Sequence, residues 1–221
     1  MSQFFKKYDK LYEDDDILVV CKDHGVLVIP DRYDKDLFNL KNHFDDVYGK
    51  IFVVHRLDAG TGGLVVFAKN SFAHKKLSLQ FQNNAVKKKY FCITEGVLKY
   101  PFTTLLPISK RNYHGKYKIN FKSGRKSITT FYPLSYNERY SFVEAVPKTG
   151  RSHQIRVHLK AYKTPLMQDY LYNKKIDDKR LTLFAYFLEF EHPATGKTVQ
   201  FKAKLFDFME EKLKEAGLSY L

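Results

Sequence analysis

The sequence predicts an α+β fold in which flanking helices cover a mixed, mainly antiparallel sheet. Apolar segments with strand character outnumber helical ones, and charged turns separate them. These segments do not alternate with helices in a βαβ rhythm, which would favour a parallel sheet. With 221 residues, of which 44% are hydrophobic, the chain can bury about 70% of its unfolded surface in one core. We therefore expect a single domain over residues 1–221.

The N-terminal third is predicted to contain two pairs of strands and a helix. Residues 12–20 are rich in Ile, Leu and Val, and together with residues 25–30 they predict a hairpin. Residues 36–44 carry apolar side chains at a spacing that favours a short amphipathic helix. Two apolar, β-branched runs at residues 51–54 and 64–68 predict buried strands on either side of a long loop.

The middle of the chain is predicted to hold one helix and a series of strands. Asn70 or Ser71 can cap a helix that runs to about residue 82, with Phe72, Leu77 and Phe81 facing the core. The following apolar runs predict strands at residues 89–97, 103–108, 115–121, 127–134 and 141–146.

The last third is predicted to contain two helices and a hairpin. Ser152 can cap a helix over residues 153–162. On this helix Arg156 lies about 100° round from Ile155, on a flank from which a side chain can reach a cleft. The remaining apolar runs predict a hairpin of residues 181–190 and 198–201 and a closing helix at residues 205–216.

The charge balance points to an anionic polymer as partner. An excess of 38 Lys and Arg over 24 Asp and Glu gives a formal charge of +14, which indicates nucleic acid. No apolar run is long enough to cross a bilayer, and no basic amphipathic helix supports binding to a membrane surface. Residues 1–10 lack the apolar stretch of a signal peptide, and we expect a cytoplasmic protein. Cys21 and Cys92 are interpreted as buried thiols, with a disulfide left open.

The loop at residues 55–63 is the most informative part of the sequence. It reads His-Arg-Leu-Asp-Ala-Gly-Thr-Gly-Gly, which is longer than a simple hairpin turn. Asp58 in such a loop either caps nearby amides or presents a carboxylate for chemistry. An arginine about 4 Å from this carboxylate would favour its charged form by roughly 4 kcal/mol at an effective dielectric constant near 20. A buried Asp-Arg pair could therefore keep the acid ionised.

Several motifs resemble those of the RluA-type pseudouridine synthases, in the same order along the chain. His55-Arg56-Leu57-Asp58 matches the His-Arg-Leu-Asp motif of that family, and Lys88-Lys89-Tyr90 matches its Lys-x-Tyr motif. Residues 150–158 match the Gly-Arg-Thr-His-Gln-Ile-Arg-Val-His motif, and residues 12–30 and 180–196 match its opening strands and closing hairpin. The resemblance spans nearly the whole chain and implies the catalytic domain of a pseudouridine synthase.

The resemblance implies a catalytic group of three residues. Asp58 corresponds to the catalytic aspartate, which attacks the uridine at C6 or C1′ or removes a proton from C2′. Arg156 corresponds to the arginine that pairs with this acid, and Tyr90 to the aromatic ring that packs on the target base. Without the resemblance, Arg156 would be interpreted as a surface arginine and Tyr90 as a core aromatic residue. None of the three routes requires a cofactor or metal, and none is expected here.

The resemblance also implies five substrate-binding residues. Arg56 is expected to fill the space that an extruded uridine leaves, although a loop-shaping salt bridge is an alternative. Lys88 is expected to make a structural or substrate contact, and Leu183 to line the uracil pocket. His55 and Thr61 belong to the same motif as Asp58 and are assigned to the substrate site.

Some positions depart from the family pattern or suggest other chemistry. Asp23, Gly62, Gln168 and Phe184 replace the usual Pro, Ser, Gly and His of the family. None of these is the acid, the tyrosine or the arginine. The histidines 55, 153, 158 and 192 have no metal-binding spacing, and we expect no metal site.

The leading hypothesis is an enzyme that isomerises specific uridines in ribosomal or transfer RNA, acting as a monomer. The alternative is a non-catalytic RNA-binding or RNA-folding protein on the same scaffold. A metal-dependent nuclease is a third and weaker idea. Residues 110–126 mix basic and aromatic side chains, which favours either RNA contacts or a solvated β-face. Because Tyr12 already belongs to the region that resembles the catalytic domain, we expect no S4-like RNA-binding module before it.

Overall fold

A computed structural model describes residues 7–109, 115–173 and 178–220. In this part of the chain, ten strands form one sheet and four helices flank it. The predicted α+β class is confirmed. Residues 110–114 of the predicted basic and aromatic segment lie outside the described residues. No helix among the described residues combines the length and apolarity needed to cross a bilayer.

The strands and helices alternate irregularly along the chain. They are β1 (Tyr8–Glu13), β2 (Ile17–Lys22), α1 (Leu40–Tyr48), β3 (Phe52–Val53), β4 (Gly62–Ala68), α2 (Ser71–Gln82), β5 (Lys87–Glu95), β6 (Phe102–Thr104), β7 (Thr129–Tyr136), β8 (Tyr140–Pro147), α3 (Gln154–Ala161), β9 (Leu183–Glu191), β10 (Thr198–Lys202) and α4 (Asp207–Glu215).

The sheet is antiparallel except at its centre. Its strand order is β1-β2-β4-β9-β5-β8-β7-β6, with β3 paired to β4 and β10 paired to β9. The parallel pair is β4 and β9, which places Gly62 beside Phe184 and Gly63 beside Ala185. All residues of β2 and β4 are buried, as expected for strands covered on both faces. The long loop before β4 therefore lies next to the start of β9.

Helix α2 agrees with its predicted bounds. The Asn70 side chain accepts a hydrogen bond from the Ala73 N–H at 2.8 Å, which is the geometry of an N-cap. The predicted core face was partly wrong, because Phe72 is exposed and Ala73 and Leu77 are the buried residues. Phe81 is half-buried and contacts the loop before β4.

The predicted N-terminal hairpin has a different partner strand. β2 pairs with β1, and residues 25–30 form no strand apart from an isolated bridge between Leu27 and Asn39. The turn lies within the acidic run, where Asp14 Oδ1 accepts the N–H groups of Asp16 and Ile17 at 2.9 and 2.8 Å. Side-chain hydrogen bonds of this kind favour a turn over an extended strand.

Helix α1 starts later than predicted. Of two predicted strands, one is shorter than expected and the other does not form. Asn39 caps α1 by accepting the Asn42 N–H at 2.9 Å. Beyond β6, residues 105–108 contribute only isolated bridges of Ile108, one of them to Ile119. The expected strand at 115–121 does not form, and the Asn120 side chain instead accepts two N–H groups of a turn.

Glycines let the loop before β4 pack directly on the start of β9. Gly63 has φ +115°, and a Cβ atom there would lie 2.3 Å from the Ala185 carbonyl oxygen. A Cβ atom on Gly60 would lie 2.2 Å from the Lys179 carbonyl oxygen. Both positions therefore exclude any side chain.

Cys21 and Cys92 are buried free thiols, and burial raises the pKa of Cys21 to about 12.

We expect the substitution Gly63→Ala to lower the free energy of unfolding by at least about 2 kcal/mol, because it adds backbone strain and a clash with the β9 backbone. Urea unfolding followed by circular dichroism measures the change. Gly150→Ala is the matched control, since its Cβ atom would have no neighbour within 4 Å. Equal stability of the two variants would contradict the tight β4–β9 contact.

Candidate active site

A cleft of about 520 Å³ opens where the loop before β4 meets α3. Its walls come from this loop, the end of α2, the start of β5, the β8–α3 connection and the start of β9. All eight residues that the sequence assigned to a site line this one cleft: His55, Arg56, Asp58, Thr61, Lys88, Tyr90, Arg156 and Leu183.

Backbone hydrogen bonds to two other segments hold the Asp58 loop. The Ala59 carbonyl accepts the Gly25 N–H at 2.8 Å, and the Gly60 carbonyl accepts the Leu181 N–H at 2.8 Å. Within the loop, the Asp58 carbonyl accepts the Thr61 N–H at 3.0 Å. The Asp58 side chain is one-third exposed, with a relative accessibility of 33%. The loop is therefore fixed while its carboxylate faces the cleft.

Lys22 supports the same loop from inside the core. Its side chain is fully buried, and Nζ donates to the carbonyl oxygens of Ala59 at 3.1 Å, of Asp23 at 3.3 Å and of Thr61. Burial lowers the pKa of Lys22 to about 7, although the negative charge of Asp58 opposes the shift. Sequence reasoning missed this residue. The available signal was a lysine at the end of an entirely apolar strand.

Arg156 is the charged partner of Asp58 in the cleft. Its Nη1 donates to Asp58 Oδ2 at 3.0 Å. The side chain reaches the cleft, as its predicted flank position allows, and it is only 1% exposed. The alternative of a surface arginine was therefore wrong. The rings of Tyr170 and Tyr172 lie 5.5 and 5.0 Å from the guanidinium carbon. Burial by itself lowers the pKa of Arg156, but the hydrogen bonds and charge of Asp169 raise it above its usual value.

Asp169 fixes the orientation of this guanidinium. Its side chain is fully buried and accepts two hydrogen bonds from Arg156, through Nε and Nη2, each at 2.8 Å. Asp169 Oδ1 also accepts the N–H groups of Leu171 and Tyr172. Such a two-point contact fixes a planar guanidinium more firmly than a single bond. Sequence reasoning missed Asp169, although an isolated acid in the apolar stretch 165–172 was a usable signal.

Tyr90 and Leu183 form an apolar wall of the cleft. Tyr90 lies on β5 beside Ala145 and Ala185 of the neighbouring strands. Burial raises the pKa of Tyr90 above its usual value, so its hydroxyl stays protonated. Leu183 begins β9 and is 5% exposed. The two interpretations of Tyr90 coincide, because the ring contacts core side chains and also lines the cleft.

His55 and Lys88 are enclosed groups at the base of the cleft. His55 Nε2 accepts the Val66 N–H at 3.1 Å, and its ring stacks on Phe81 with centroids 4.4 Å apart. Burial, together with the positive charge of Lys88, lowers the pKa of His55 to about 3. Lys88 donates to the Val86 carbonyl at 3.2 Å, and burial lowers the pKa of Lys88.

Arg56 and the start of α3 border the opening of the cleft. Arg56 is exposed, and it has no ion-pair partner among residues 7–109, 115–173 and 178–220, contrary to the salt-bridge alternative.

The predicted cap Ser152 was wrong, because His153 occupies the N-cap position of α3 in the left-handed conformation with φ +55°. The Gln154 side chain organises the preceding loop by accepting from the Thr149 hydroxyl and the Arg151 N–H.

Comparisons with known proteins show the family of the chain. The family described as RNA pseudouridylate synthase matches residues 16–161. The chain is 36% identical over 92% of its length to a Bacillus subtilis protein named uncharacterized RNA pseudouridine synthase YlyB, of which it covers 71%. It is 33% identical to the dual-specificity RNA pseudouridine synthase RluA of Haemophilus influenzae, with 89% of this chain and 92% of that protein covered.

A further relative and one solved structure are also similar to this chain. The chain is 32% identical to the tRNA pseudouridine synthase C of Haemophilus ducreyi, over 89% of this chain and 90% of that protein. The fold is similar to that of human RNA pseudouridylate synthase domain containing 4, with a TM-score of 0.78, 23% identity, and 96% and 94% of the two chains covered. The chain therefore belongs to the RNA pseudouridylate synthase family, and it is an isomerase of that class.

We expect the substitution Arg156→Met to lower the free energy of unfolding by about 3 to 5 kcal/mol, because Asp169 would keep a buried charge without its cation. Adding Asp169→Asn removes that charge and retains an acceptor for the N–H groups of Leu171 and Tyr172. The double variant should therefore be at least about 1 kcal/mol more stable than Arg156→Met alone. Urea unfolding of both measures this, and a double variant no more stable than the single one would refute the coupling.

His55 should make the protein sensitive to acid. Its pKa falls from 6.5 to about 3 in the fold, so between these values the unfolded chain binds the proton more readily than the folded one. The free energy of unfolding should therefore fall by about 2 kcal/mol from pH 7.5 to pH 5 through this residue. The substitution His55→Gln, whose amide oxygen can accept the Val66 N–H, should remove that part of the loss. Unfolding curves at the two pH values test it, since the other histidines contribute equally to both proteins.

Proposed function

We propose that this protein converts specific uridines in ribosomal or transfer RNA into pseudouridine, with Asp58 as the catalytic aspartate and without a cofactor. The observation that carries the proposal is the Asp58 carboxylate, one-third exposed in the cleft and 3.0 Å from the buried guanidinium of Arg156. A relative named as a tRNA pseudouridine synthase supports transfer RNA as a substrate, and one named as a dual-specificity RNA pseudouridine synthase supports more than one kind of substrate.

The charge arrangement suits an aspartate that must react as an anion. Addition to C6, attack at C1′ and removal of the C2′ proton all require the carboxylate to be ionised. Arg156 donates a hydrogen bond to the Asp58 carboxylate, and the guanidinium stays oriented because Asp169 accepts hydrogen bonds from its other edge. A cation placed before substrate binds does not have to reorganise during the reaction. The Asp58 carboxylate is therefore held next to a cation of fixed orientation.

The reaction is an isomerisation and consumes nothing. The bond between N1 and C1′ breaks, the uracil turns within the cleft, and a bond forms between C5 and C1′. The proton leaves C5 and N1 gains one, so the atoms of substrate and product are the same. The cleft volume of about 520 Å³ lies in the range of roughly 300 to 1,000 Å³ that is usual for small-molecule sites, which suits one extruded nucleotide.

The cleft walls assign different tasks to the remaining residues. Tyr90 and Leu183 pack on the uracil, and stacking on an aromatic ring contributes about 1 to 3 kcal/mol per base. Arg56 is exposed at the rim and fills the stack after the uridine is extruded, which offsets an unstacking cost of a few kcal/mol. His55, Thr61 and Lys88 line the same cleft, and Lys88 donates to a substrate oxygen or supports the cleft structurally.

An exposed basic and aromatic surface supports an RNA partner, and the location of the site residues supports a monomeric enzyme. Phe121 is 78% exposed between exposed Lys118, Lys122 and Arg125, a mixture that suits stacked bases and phosphates. All residues proposed for catalysis and substrate binding line one cleft of one chain, so a second copy is not needed to complete the site.

We propose that the enzyme acts in the cytoplasm, where its free thiols Cys21 and Cys92 remain reduced.

We expect the substitution Asp58→Asn to lower the rate of pseudouridine formation at least about 1,000-fold, because it removes the reacting carboxylate. Unmodified transcripts of tRNA and ribosomal RNA are incubated with each protein, and pseudouridine is mapped by mass spectrometry. Asp36→Asn is the matched control, since this acid is exposed outside the cleft.

RNA affinity separates catalysis from binding in the same experiment. We expect the Asp58→Asn protein to bind the transcripts as tightly as the parent. Pseudouridine formation that survives in this variant would disprove the role of Asp58. Binding by the parent without any product would support the non-catalytic RNA-binding alternative instead.

A further inference from the structure

His153, at the N-cap of α3, faces the same carboxylate oxygen of Asp58 as Arg156 does. Its Nε2 atom lies 3.7 Å from Asp58 Oδ2, and its side chain is 16% exposed. This distance is longer than a hydrogen bond, but contacts around a catalytic group often tighten when substrate binds. The left-handed backbone at His153, φ +55°, is uncommon for a residue other than glycine, and it is the conformation in which the ring faces Asp58.

The Tyr172 hydroxyl contacts the other ring nitrogen of His153, Nδ1. The Tyr172 hydroxyl oxygen accepts the Tyr117 N–H at 2.8 Å and lies 2.9 Å from His153 Nδ1. A hydroxyl has one proton to donate, and within the described part of the chain Nδ1 is the acceptor in reach of it. This arrangement favours donation from the Tyr172 hydroxyl to Nδ1, with the ring proton of His153 on Nε2, the atom that faces Asp58.

The two oxygens of Asp58 consequently differ. Oδ2 accepts from Arg156 at 3.0 Å and faces His153 Nε2. No hydrogen-bond donor in residues 7–109, 115–173 or 178–220 contacts Oδ1. We propose that Oδ1 is the oxygen that reacts, and that His153 is a positioning residue whose Nε2–H holds Oδ2 against Arg156. This inference rests on the proposed function of Asp58, because it assigns the reacting atom of that residue.

A spectroscopic measurement tests the proton position without RNA. The protein is labelled with ¹⁵N-histidine, and the His153 signals are assigned from their loss in the substitution His153→Asn. We expect the parent to show a protonated Nε2 and an unprotonated Nδ1, and the variant Tyr172→Phe to lose this preference. A parent ring protonated on Nδ1 alone would overturn the inference, whether or not the protein proves to be an enzyme.

Two substitutions separate positioning of Asp58 from a purely structural role. In His153→Asn, the short amide lies where Nδ1 was, so it keeps the Tyr172 contact and tolerates the left-handed backbone but does not reach Asp58. In His153→Gln, the longer amide places an N–H where Nε2 was but gives up the Tyr172 contact. A structural role therefore favours Asn, and positioning of Asp58 favours Gln.

Single-turnover rates on the transcripts that the parent modifies decide between the two roles. We expect His153→Asn to be at least about tenfold slower than the parent, and His153→Gln to stay within about threefold. The dissociation constant for RNA should change less than about twofold in both. If His153→Asn reacts at least as fast as His153→Gln, the inference is overturned. A parent that forms no pseudouridine speaks against the proposed function and overturns the assignment of Oδ1 with it, and the ¹⁵N spectrum then tests only the contact of His153 with Asp58.

Discussion

The buried guanidinium of Arg156 between Asp169 and Asp58 is the interaction on which the site depends. A charge that is 1% exposed is tolerable only because Asp169, fully buried itself, satisfies one whole edge of it. This leaves Nη1 for Asp58. The arrangement assigns different roles to the two acids. One compensates the burial of the arginine, and the other stays partly exposed and faces the cleft.

The central strand pair brings these groups together. Asp58 precedes β4, and β4 runs parallel to β9 over Gly62 and Gly63. The close backbone approach at Gly63 fixes where the loop leaves the sheet. Lys22 donates hydrogen bonds to carbonyl oxygens of this loop and of Asp23. Arg156 and Asp169 then approach from α3 and the segment after it. A one-residue shift of β4 against β9 would turn the neighbouring side chains to the opposite face.

The electrostatic character of the cleft is consistent with an RNA isomerase. Asp58 is its only acidic lining residue in the described part of the chain, and Arg56, Lys88, Arg151 and Arg156 also line it. The net charge of +14 attracts the phosphate backbone without selecting a base. In the proposed mechanism the chemistry rests on one carboxylate, Asp58, in a cleft whose other charged lining residues are cations.

The sequence alone determined the elements whose signals are local. The Asn70 cap and the apolar period of α2 lie within a few residues, and the ordered motifs around Asp58, Tyr90 and Arg156 were sufficient to indicate the family and the residues of one cleft. Local signals also misled, because the acidic run at Asp14 forms a turn and Ser152 does not cap α3.

The tertiary structure decided which groups meet. Arg156 contacts Asp58 across 98 residues of chain, and Lys22 contacts Thr61 across 39. Asp169 contacts Arg156, and His153 approaches Asp58, only because α3 lies beside the Asp58 loop. The physical reason is that burial and pairing of a charge depend on the surrounding atoms, which come from segments that a linear pattern does not relate.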